Sequence, residues 1–135
     1  MKALLDTSVF LKLAANPEAL PAALTKAVDE AESLSLSAAS AWEIAIKASI
    51  KKLKLPAPSS EYVRSRMAHL RITSLPITSD HATAVESLPW HHRDPFDRLL
   101  IAQALLDGLT ILTTDSVFAK YGVRLVAAKA RKRRR

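Results

Sequence analysis

Two stretches of this 135-residue chain place an aspartate just after a short apolar run. The first, A-L-L-D-T-S, ends at Asp6 and its hydroxyl neighbours, and the second, I-L-T-T-D-S, delivers Asp115 in the same way. A helical pattern follows each acid. Because open parallel sheets bind ligands beyond the carboxyl ends of their strands, we expect both carboxylates at one edge of a sheet.

Two further acids can approach that edge. Glu43 lies in the helix that leaves the second predicted strand, and Asp97 lies at the start of the helix that enters the fourth. Since the chain has no cysteine, four converging carboxylates describe a site for a hard divalent cation such as Mg²⁺, which takes oxygen ligands. Like charges on one rim repel each other, and a bound cation or substrate would offset that repulsion.

Each acid taken alone has a simpler structural explanation. Asp6 and Asp115 suit the N-caps of the helices that follow them, and Asp97 suits the third position of a capping box. Glu43 lies one helical turn before Lys47 and could form a surface ion pair with it. The choice depends on whether the fold brings the four carboxylates together.

Composition excludes several other kinds of chemistry. The absence of cysteine removes disulfides, thiolate metal sites and thiol nucleophiles, and it is compatible with the cytoplasm. The two glycines, Gly108 and Gly122, are too far apart for a phosphate-binding loop or a dinucleotide fingerprint. No apolar run reaches the roughly 18 residues that span a membrane, and the first residues lack the pattern of a signal peptide. We therefore expect a cytoplasmic protein with no membrane segment.

The net charge of +7 is concentrated at one end of the chain. Residues 129–135 carry six cations, which leaves a net charge of +1 for the rest. With 49% hydrophobic residues, that remainder can form one globular domain with its own core. We divide the chain into a domain at residues 1–127 and a basic tail at residues 128–135, which suits either a polyanion or solvent.

Short apolar runs alternate with helical patterns along the whole domain. The predicted strands are 2–5, 34–37, 72–77, 109–113 and 123–126, and the predicted helices are 9–15, 21–32, 38–52, 61–70, 79–86, 95–107 and 116–121. This alternation favours a parallel sheet covered on both faces. Asp94 and Pro95 suit the cap and first position of the helix that carries Asp97, whose later residues are apolar almost all round.

Four blocks of the sequence resemble the PIN-domain ribonucleases, and more closely the VapC toxins of bacterial toxin–antitoxin pairs. The blocks are D-T-S from Asp6, A-S-A-W-E-I-A-I-K at 39–47, H-R-D-P-F-D-R-L-L-I-A-Q-A at 92–104, and T-T-D at 113–115. Their order and spacing match over roughly residues 1–126. The resemblance implies a Rossmann-like, three-layer α/β/α sandwich with a central five-stranded parallel sheet. It also implies Mg²⁺- or Mn²⁺-dependent cleavage of RNA and a small VapB-type antitoxin that blocks the site.

The resemblance also assigns roles by position. The catalytic and metal-binding acids are Asp6, Glu43, Asp97 and Asp115. The supporting hydroxyls, which hydrogen-bond water or carboxylate, are Thr7, Ser8 and Thr114. A helix cap explains each of these hydroxyls equally well. A cation held by the acids would lower the pKa of a coordinated water so that hydroxide attacks a phosphodiester in line, and a second cation would stabilise the leaving oxygen.

Other conspicuous residues are assigned structural roles. In helix 38–52, one face is formed by Trp42, Ala45, Ile46, Ser49 and Ile50, and Glu43 lies at its border. Trp42 and Trp90 suit the core or an interface better than a base-stacking platform. The pair His91-His92 lacks the spacing of a zinc site, so a role in the loop is the simpler explanation. The apolar helices near Glu43 and Tyr62 could form a homodimer seam or an antitoxin groove.

Three other functions remain compatible with such a chain. A catalytically inactive PIN-fold module that binds nucleic acid or regulates is separated from a nuclease by testing RNA degradation with Mg²⁺ and then with EDTA. A receiver-type phosphotransfer domain also gathers acids at strand ends, but it would need a lysine at the rim after a later strand, and this sequence has none there. A DNA-directed nuclease of the same fold is separated by competition between RNA and DNA.

Overall fold

The computed structural model describes residues 1–129 and shows five parallel strands between two layers of helices. The strands are β1 (Lys2–Leu5), β2 (Ser33–Ser37), β3 (Ile72–Leu75), β4 (Thr110–Thr113) and β5 (Leu125–Ala127). The α-helices are α1 (Thr7–Ala15), α2 (Ala22–Glu30), α3 (Ala38–Ser49), α4 (Ser59–Leu70), α5 (Ser79–Ala84) and α6 (Pro95–Asp107). Short 3₁₀ turns span Pro17–Ala19, Val85–Ser87 and Ser116–Tyr121. The predicted α/β/α sandwich is confirmed, and most of the predicted basic tail, residues 130–135, lies outside the described residues.

The strand order, β3-β2-β1-β4-β5, reverses beside the first strand. The chain builds outward from β1 through β2 to β3 and then returns to place β4 on the other side of β1. Asp6 follows β1 directly, and its backbone N–H donates to the Leu112 carbonyl of β4 at 2.9 Å. The loops after β1 and β4 therefore diverge from a common point, the kind of crevice in which open parallel sheets bind ligands.

β1 supplies side chains to both faces of the sheet. Ala3 and Leu5 join a core that contains Phe10 of α1, whereas Leu4 joins a second core that contains Leu100 of α6. All five side chains are fully buried. A central parallel strand covered on both faces reads as a continuous apolar run, which is why this strand is recognisable in the sequence.

α3 buries a different face from the one its apolar residues predict. Its buried residues are Ala39, Ser40, Glu43 and Ile44. In contrast, Trp42 and Ile50 are 61% and 55% exposed, and Trp42 forms an edge-to-face pair with the Phe96 ring at a centroid distance of 5.4 Å. Small and polar side chains make the close contact here, as when the Thr7 hydroxyl donates to Ser40 Oγ at 2.9 Å. Trp90, expected in the core or an interface, is 75% exposed.

α6 begins as its local sequence predicts. The Asp94 side chain accepts a hydrogen bond from the backbone N–H of Asp97 at 3.0 Å, and the helix ends at Gly108, which has a left-handed φ of 67°. Its final turn differs from the prediction, since Leu105 and Leu106 are about half exposed. Neither α6 nor any other helix of the described chain is long and apolar enough to cross a bilayer.

Several helix boundaries differ from the predicted ones, and the structure shows a local reason at two of them. α5 is capped by Thr78 rather than by Ser79 and Asp80: the Thr78 hydroxyl accepts from the backbone of His81, and the His81 ring accepts from the backbone of Thr78. A histidine in the place of the usual glutamate hid this capping box from the sequence pattern. α3 ends earlier than predicted, because Lys51 adopts a left-handed φ of 61°.

Candidate active site

A cavity of about 280 Å³ lies where the strand order reverses. We call it the acidic cavity; its lining residues are Asp6, Thr7, Ser8, Leu11, Glu43, Lys47, Asp97, Thr114 and Asp115. All four acids and all three hydroxyl residues singled out in the sequence are thus brought together. They come from the ends of β1 and β4 and from the facing turns of α3 and α6.

Asp6 is fixed at the end of β1 by the neighbouring strand. Its Oδ2 accepts a hydrogen bond from the Thr113 hydroxyl of β4 at 2.7 Å, and the residue is only 6% exposed. Its side chain does not make the N-cap hydrogen bond to α1 that would explain an aspartate at this position. The capping explanation therefore fails for Asp6.

Glu43 projects from α3 into the same cavity. Its Oε2 lies 2.8 Å from Nζ of Lys47, one turn further along the helix, so the ion pair considered from the sequence is present. Glu43 is nevertheless only 8% exposed, which places the pair at the wall of the cavity rather than on open surface. The hydrogen bond to the Glu43 carboxylate raises the pKa of Lys47, so its ammonium keeps a positive charge beside the acids.

Asp97 turns its carboxylate away from the helix cap. Its Oδ2 lies 3.2 Å from Nε2 of His92, in the loop that precedes α6. The backbone N–H of Asp97 is meanwhile satisfied by Asp94, which is the capping residue of this helix. The capping-box explanation of Asp97 is therefore wrong, because the side chain is used elsewhere.

Burial, together with the crowding of negative charge, raises the pKa values of two of these acids. Burial, followed by the charges of neighbouring acids, raises the pKa of Asp97 to about 8; those neighbours are Asp6, Asp94, Glu43 and Asp115. Burial also raises the pKa of Asp6, although its hydrogen bond from Thr113 opposes the shift. Both shifts indicate that the fold holds these carboxyl groups where their own negative charge is unfavourable.

Asp115 combines a local role with its place at the cavity. It is exposed, and its Oδ1 accepts the backbone N–H of Val117 at 3.0 Å, which caps the 3₁₀ turn Ser116–Tyr121. Its own backbone N–H donates to the Thr113 hydroxyl at 2.9 Å. The cap considered from the sequence is present, and it directs Asp115 without removing it from the cavity.

The sequence pattern of the PIN domain matches residues 3–124 of this chain. The chain belongs to the PIN-domain family. It is 31% identical over 112 residues to Ribonuclease VapC22 of Mycobacterium tuberculosis, an alignment that covers 83% of this chain and 85% of that protein.

Solved structures show the same fold at lower sequence identity. VapBC2 from Rickettsia felis, bound to a promoter DNA fragment, matches with a TM-score of 0.71 and 13% identity over 94% of this chain and 98% of that one. DNA-bound VapBC from Salmonella typhimurium matches with a TM-score of 0.70 and 18% identity over the same shares of the two chains. The resemblance carried by the four sequence blocks is therefore confirmed, and those blocks meet at the acidic cavity of this PIN domain.

The hydroxyl residues of this PIN domain do not all behave as expected. Thr7, Ser8 and Thr114 line the acidic cavity, but the Thr7 hydroxyl donates to Ser40 of α3 rather than to an acid. The hydroxyl that does bond a carboxylate is that of Thr113, which sequence reasoning missed. Its signal was present, because it is the last residue of β4 and is therefore the direct neighbour of the end of β1.

His92 is the second residue of the PIN domain that sequence reasoning underrated. It does lie in the loop before α6, as expected, but it contacts Asp97 and also places Nδ1 2.7 Å from the Tyr121 hydroxyl. Nothing periodic in the sequence predicts this contact, since it depends on the path of an irregular loop.

The side chains at the acidic cavity fit a hard cation by their chemistry. Carboxylate and hydroxyl oxygens are the ligands that Mg²⁺ and Mn²⁺ prefer. Among residues 1–129, no group of three or more acid or histidine side chains is already arranged as a complete ligand set. Mg²⁺ is usually held by one or two carboxylates together with water and substrate phosphates. Asp6 and Asp97, whose pKa values are raised, are carboxylates whose negative charge a bound cation would offset.

Proposed function

We propose that this PIN-domain protein is a metal-dependent endoribonuclease and the toxin of a toxin–antitoxin pair. The observation that carries the proposal is the meeting of four acids from distant parts of the chain, Asp6, Glu43, Asp97 and Asp115, at one cavity. The relatives support the substrate and the setting, because VapC22 is named a ribonuclease and the similar structures are VapBC complexes.

The charge of the acidic cavity is the physical reason for metal dependence. A phosphodiester is an anion and would be repelled by clustered carboxylates unless a cation lay between them. When bound, Mg²⁺ or Mn²⁺ supplies a water of lowered pKa and stabilises negative charge on the reacting phosphate. We assign Asp6 and Asp97 as the principal ligands, with Glu43 and Asp115 completing the acidic set.

The chain's own residues divide the remaining work. Thr113 holds Asp6 in place through a hydrogen bond, so this carboxylate needs no reorganisation when substrate arrives. Lys47 is half exposed and can donate to a phosphate oxygen at the mouth of the cavity. Asp115 is exposed and can accept a hydrogen bond from a water that enters beside the phosphodiester.

The decisive experiment is cleavage of cellular RNA by the purified chain, free of any partner, with mapping of the cut ends. We expect cleavage with Mg²⁺ or Mn²⁺ and none with EDTA. Asp97→Asn should fold and lose at least roughly 100-fold in rate, whereas the matched control Asp94→Asn should stay active, because asparagine caps a helix as well as aspartate does.

Two outcomes would reject the proposal. Cleavage that survives EDTA would rule out metal dependence, and RNA binding without cleavage would favour the catalytically inactive module instead. Competition with single-stranded and double-stranded DNA separates a ribonuclease from a DNA-directed nuclease of the same fold.

We further infer a cytoplasmic protein with a protein partner. A groove of about 630 Å³ lies between α3 and α4, and its mainly apolar lining includes Ala41, Ala45, Val63 and Met67. Such a groove suits a helix of a cognate antitoxin or a second copy of the chain. Size-exclusion chromatography of the chain alone, and then with the antitoxin encoded beside it, separates these two partners.

A further inference from the structure

A chain of hydrogen bonds leads from a buried guanidinium to the carboxylate of Asp97. Arg98 is 1% exposed, and its terminal nitrogens donate to backbone carbonyls and to one side chain. These acceptors are the carbonyls of Val85, Leu88 and Pro89 and the hydroxyl of Tyr121. The Tyr121 hydroxyl lies 2.7 Å from Nδ1 of His92, and Nε2 of His92 lies 3.2 Å from Oδ2 of Asp97.

The hydrogen-bond donors around the Tyr121 oxygen fix the direction of each hydrogen bond in this series. Arginine is only a donor, so Arg98 Nη1 donates to the phenolic oxygen at 3.3 Å. The backbone N–H of His92 donates to the same oxygen, also at 3.3 Å. These two donors occupy both lone pairs of the phenolic oxygen, so the oxygen cannot also accept a hydrogen bond from His92. It therefore donates its own hydrogen to Nδ1 of His92.

The protonation pattern of the imidazole follows from that donation. If Nδ1 accepts a hydrogen bond from Tyr121, it carries no hydrogen itself, and the neutral ring must carry its hydrogen on Nε2. That is the nitrogen facing Asp97, so His92 donates to Oδ2. His92 therefore holds one oxygen of the Asp97 carboxylate, and the Tyr121 hydroxyl, itself held by Arg98, sets the orientation of the imidazole.

We propose that His92 and Tyr121 are positioning residues that fix the Asp97 carboxylate for cation binding. The inference rests on the proposed metal-dependent function of the acidic cavity. Side chains that bind a metal through oxygen are commonly oriented by a hydrogen bond to their remaining atoms, and loss of that partner typically costs about 10- to 100-fold in affinity or activity. Tyr121 lies in the 3₁₀ turn between β4 and β5 and does not line the acidic cavity, and its hydroxyl reaches the Asp97 carboxylate through His92.

A purely structural role for the same residues makes different predictions. The Tyr121 ring packs edge-on against His91 and His92, at centroid distances of 4.8 and 5.4 Å. Tyr121→Phe keeps that ring and removes only the hydroxyl. A structural role would lower the melting temperature of this variant and leave the state of His92 and the metal affinity unchanged, whereas a positioning role changes both.

The first measurement is the tautomer of His92, by long-range ¹H–¹⁵N correlation spectroscopy on the full chain without metal, at a pH above the raised pKa of Asp97 so that its carboxyl is ionised. We expect the Nε2–H tautomer in the wild type and a rise in the Nδ1–H form in Tyr121→Phe. The Nδ1–H tautomer in the wild type would overturn the proposal, because Tyr121 could not then be the donor. The comparison needs no enzymatic activity.

The second measurement is Mn²⁺ affinity by titration calorimetry, with RNA cleavage rates measured in parallel. His92→Ala and Tyr121→Phe should each weaken Mn²⁺ binding about 10- to 100-fold and lower kcat with little change in KM. His92→Gln should recover most of the affinity, since its amide can donate near the position of Nε2. His91→Gln is the matched control, because His91 touches the Tyr121 ring and pairs with no acid within residues 1–129, and it should behave as the wild type.

The two proposals fail in distinguishable ways. If the wild type cleaves no RNA but the tautomer and Mn²⁺ results hold, the positioning role stands and the proposed function falls. If the wild type cleaves RNA while Tyr121→Phe and His92→Ala bind Mn²⁺ as the wild type does, the positioning role is rejected alone. Should His92→Ala fail to fold, Tyr121→Phe decides the matter.

Discussion

Asp97 is a residue that suits a cation site but lowers the stability of the metal-free fold. Its pKa is raised from 3.8 to about 8, chiefly by burial and then by neighbouring negative charge. The folded chain therefore binds a proton at Asp97 more tightly than the unfolded chain does. An ionised Asp97 is what a cation requires, so the arrangement that would favour metal binding weakens the metal-free protein.

This conflict predicts the pH dependence of stability without metal. Below pH 4 the carboxyl of Asp97 is protonated in both states, and between about pH 4 and 8 the folded state binds more protons, so the free energy of unfolding falls as pH rises. Burial of Asp6 acts in the same direction. Asp97→Asn should flatten this slope and raise Tm at pH 8 by about 4 °C. Thermal unfolding in EDTA from pH 4 to 9 measures how Tm depends on pH. Equal dependence of Tm on pH in Asp97→Asn and wild type would contradict the prediction.

A divalent cation should reverse the loss of stability. Because the cation binds the ionised carboxylates of the folded state, Mn²⁺ should raise Tm more at pH 8 than at pH 6, where protons compete for Asp97. At a hundred times the Kd, one bound ion contributes about 2.7 kcal/mol. Asp97→Asn should lose most of this response, while Asp94→Asn should keep it. A shift of equal size in Asp97→Asn would place the ion elsewhere.

At the scale of single elements, the predictable features are those fixed by neighbours in sequence. The start of α6 can be predicted from the sequence because Asp94, Pro95 and the apolar run that follows are consecutive. The buried face of α3 cannot be predicted from neighbouring residues alone, since tertiary packing decides which side of a helix is covered. Apolar residues such as Trp42 there lie on the surface, where a partner rather than the core would cover them.

The ends of β1 and β4 depend on one hydroxyl. Thr113 is fully buried, donates to Asp6 and accepts from the backbone of Asp115. Thr113→Val keeps the shape of the side chain but leaves two polar groups without this partner, which should destabilise the fold by about 1–3 kcal/mol. The same change should lower Mn²⁺ affinity, because Asp6 loses its anchor. Denaturant unfolding and calorimetry test both effects.

The matched control for that substitution lies in the same strand. Thr110→Val changes the first residue of β4, at the opposite end from the acidic cavity, and should leave Mn²⁺ affinity unchanged. Loss of affinity in both variants would show that β4 as a whole, rather than the Thr113 hydroxyl, sets the position of Asp6.

For the molecule as a whole, sheet topology made the acidic set predictable. Parallel strands present their carboxyl ends at one edge, so acids that follow strands must share that edge wherever they lie in the sequence. Asp6 and Asp115 needed no more information than this. The roles of Thr113 and His92 were not predicted, for different reasons. The role of Thr113 depends on β4 lying beside β1, and the role of His92 depends on the path of an irregular loop.

The reversal of strand order also governs when a nascent chain can become harmful. Asp6 and Glu43 leave the ribosome early, but their partners Asp97 and Asp115 belong to segments made much later, and β4 must pair with β1 before the set is complete. A half-translated polypeptide of this design therefore lacks two of the four acids that the proposed cation site needs. The timing follows from connectivity alone, because no fragment that ends before β4 can carry all four acids.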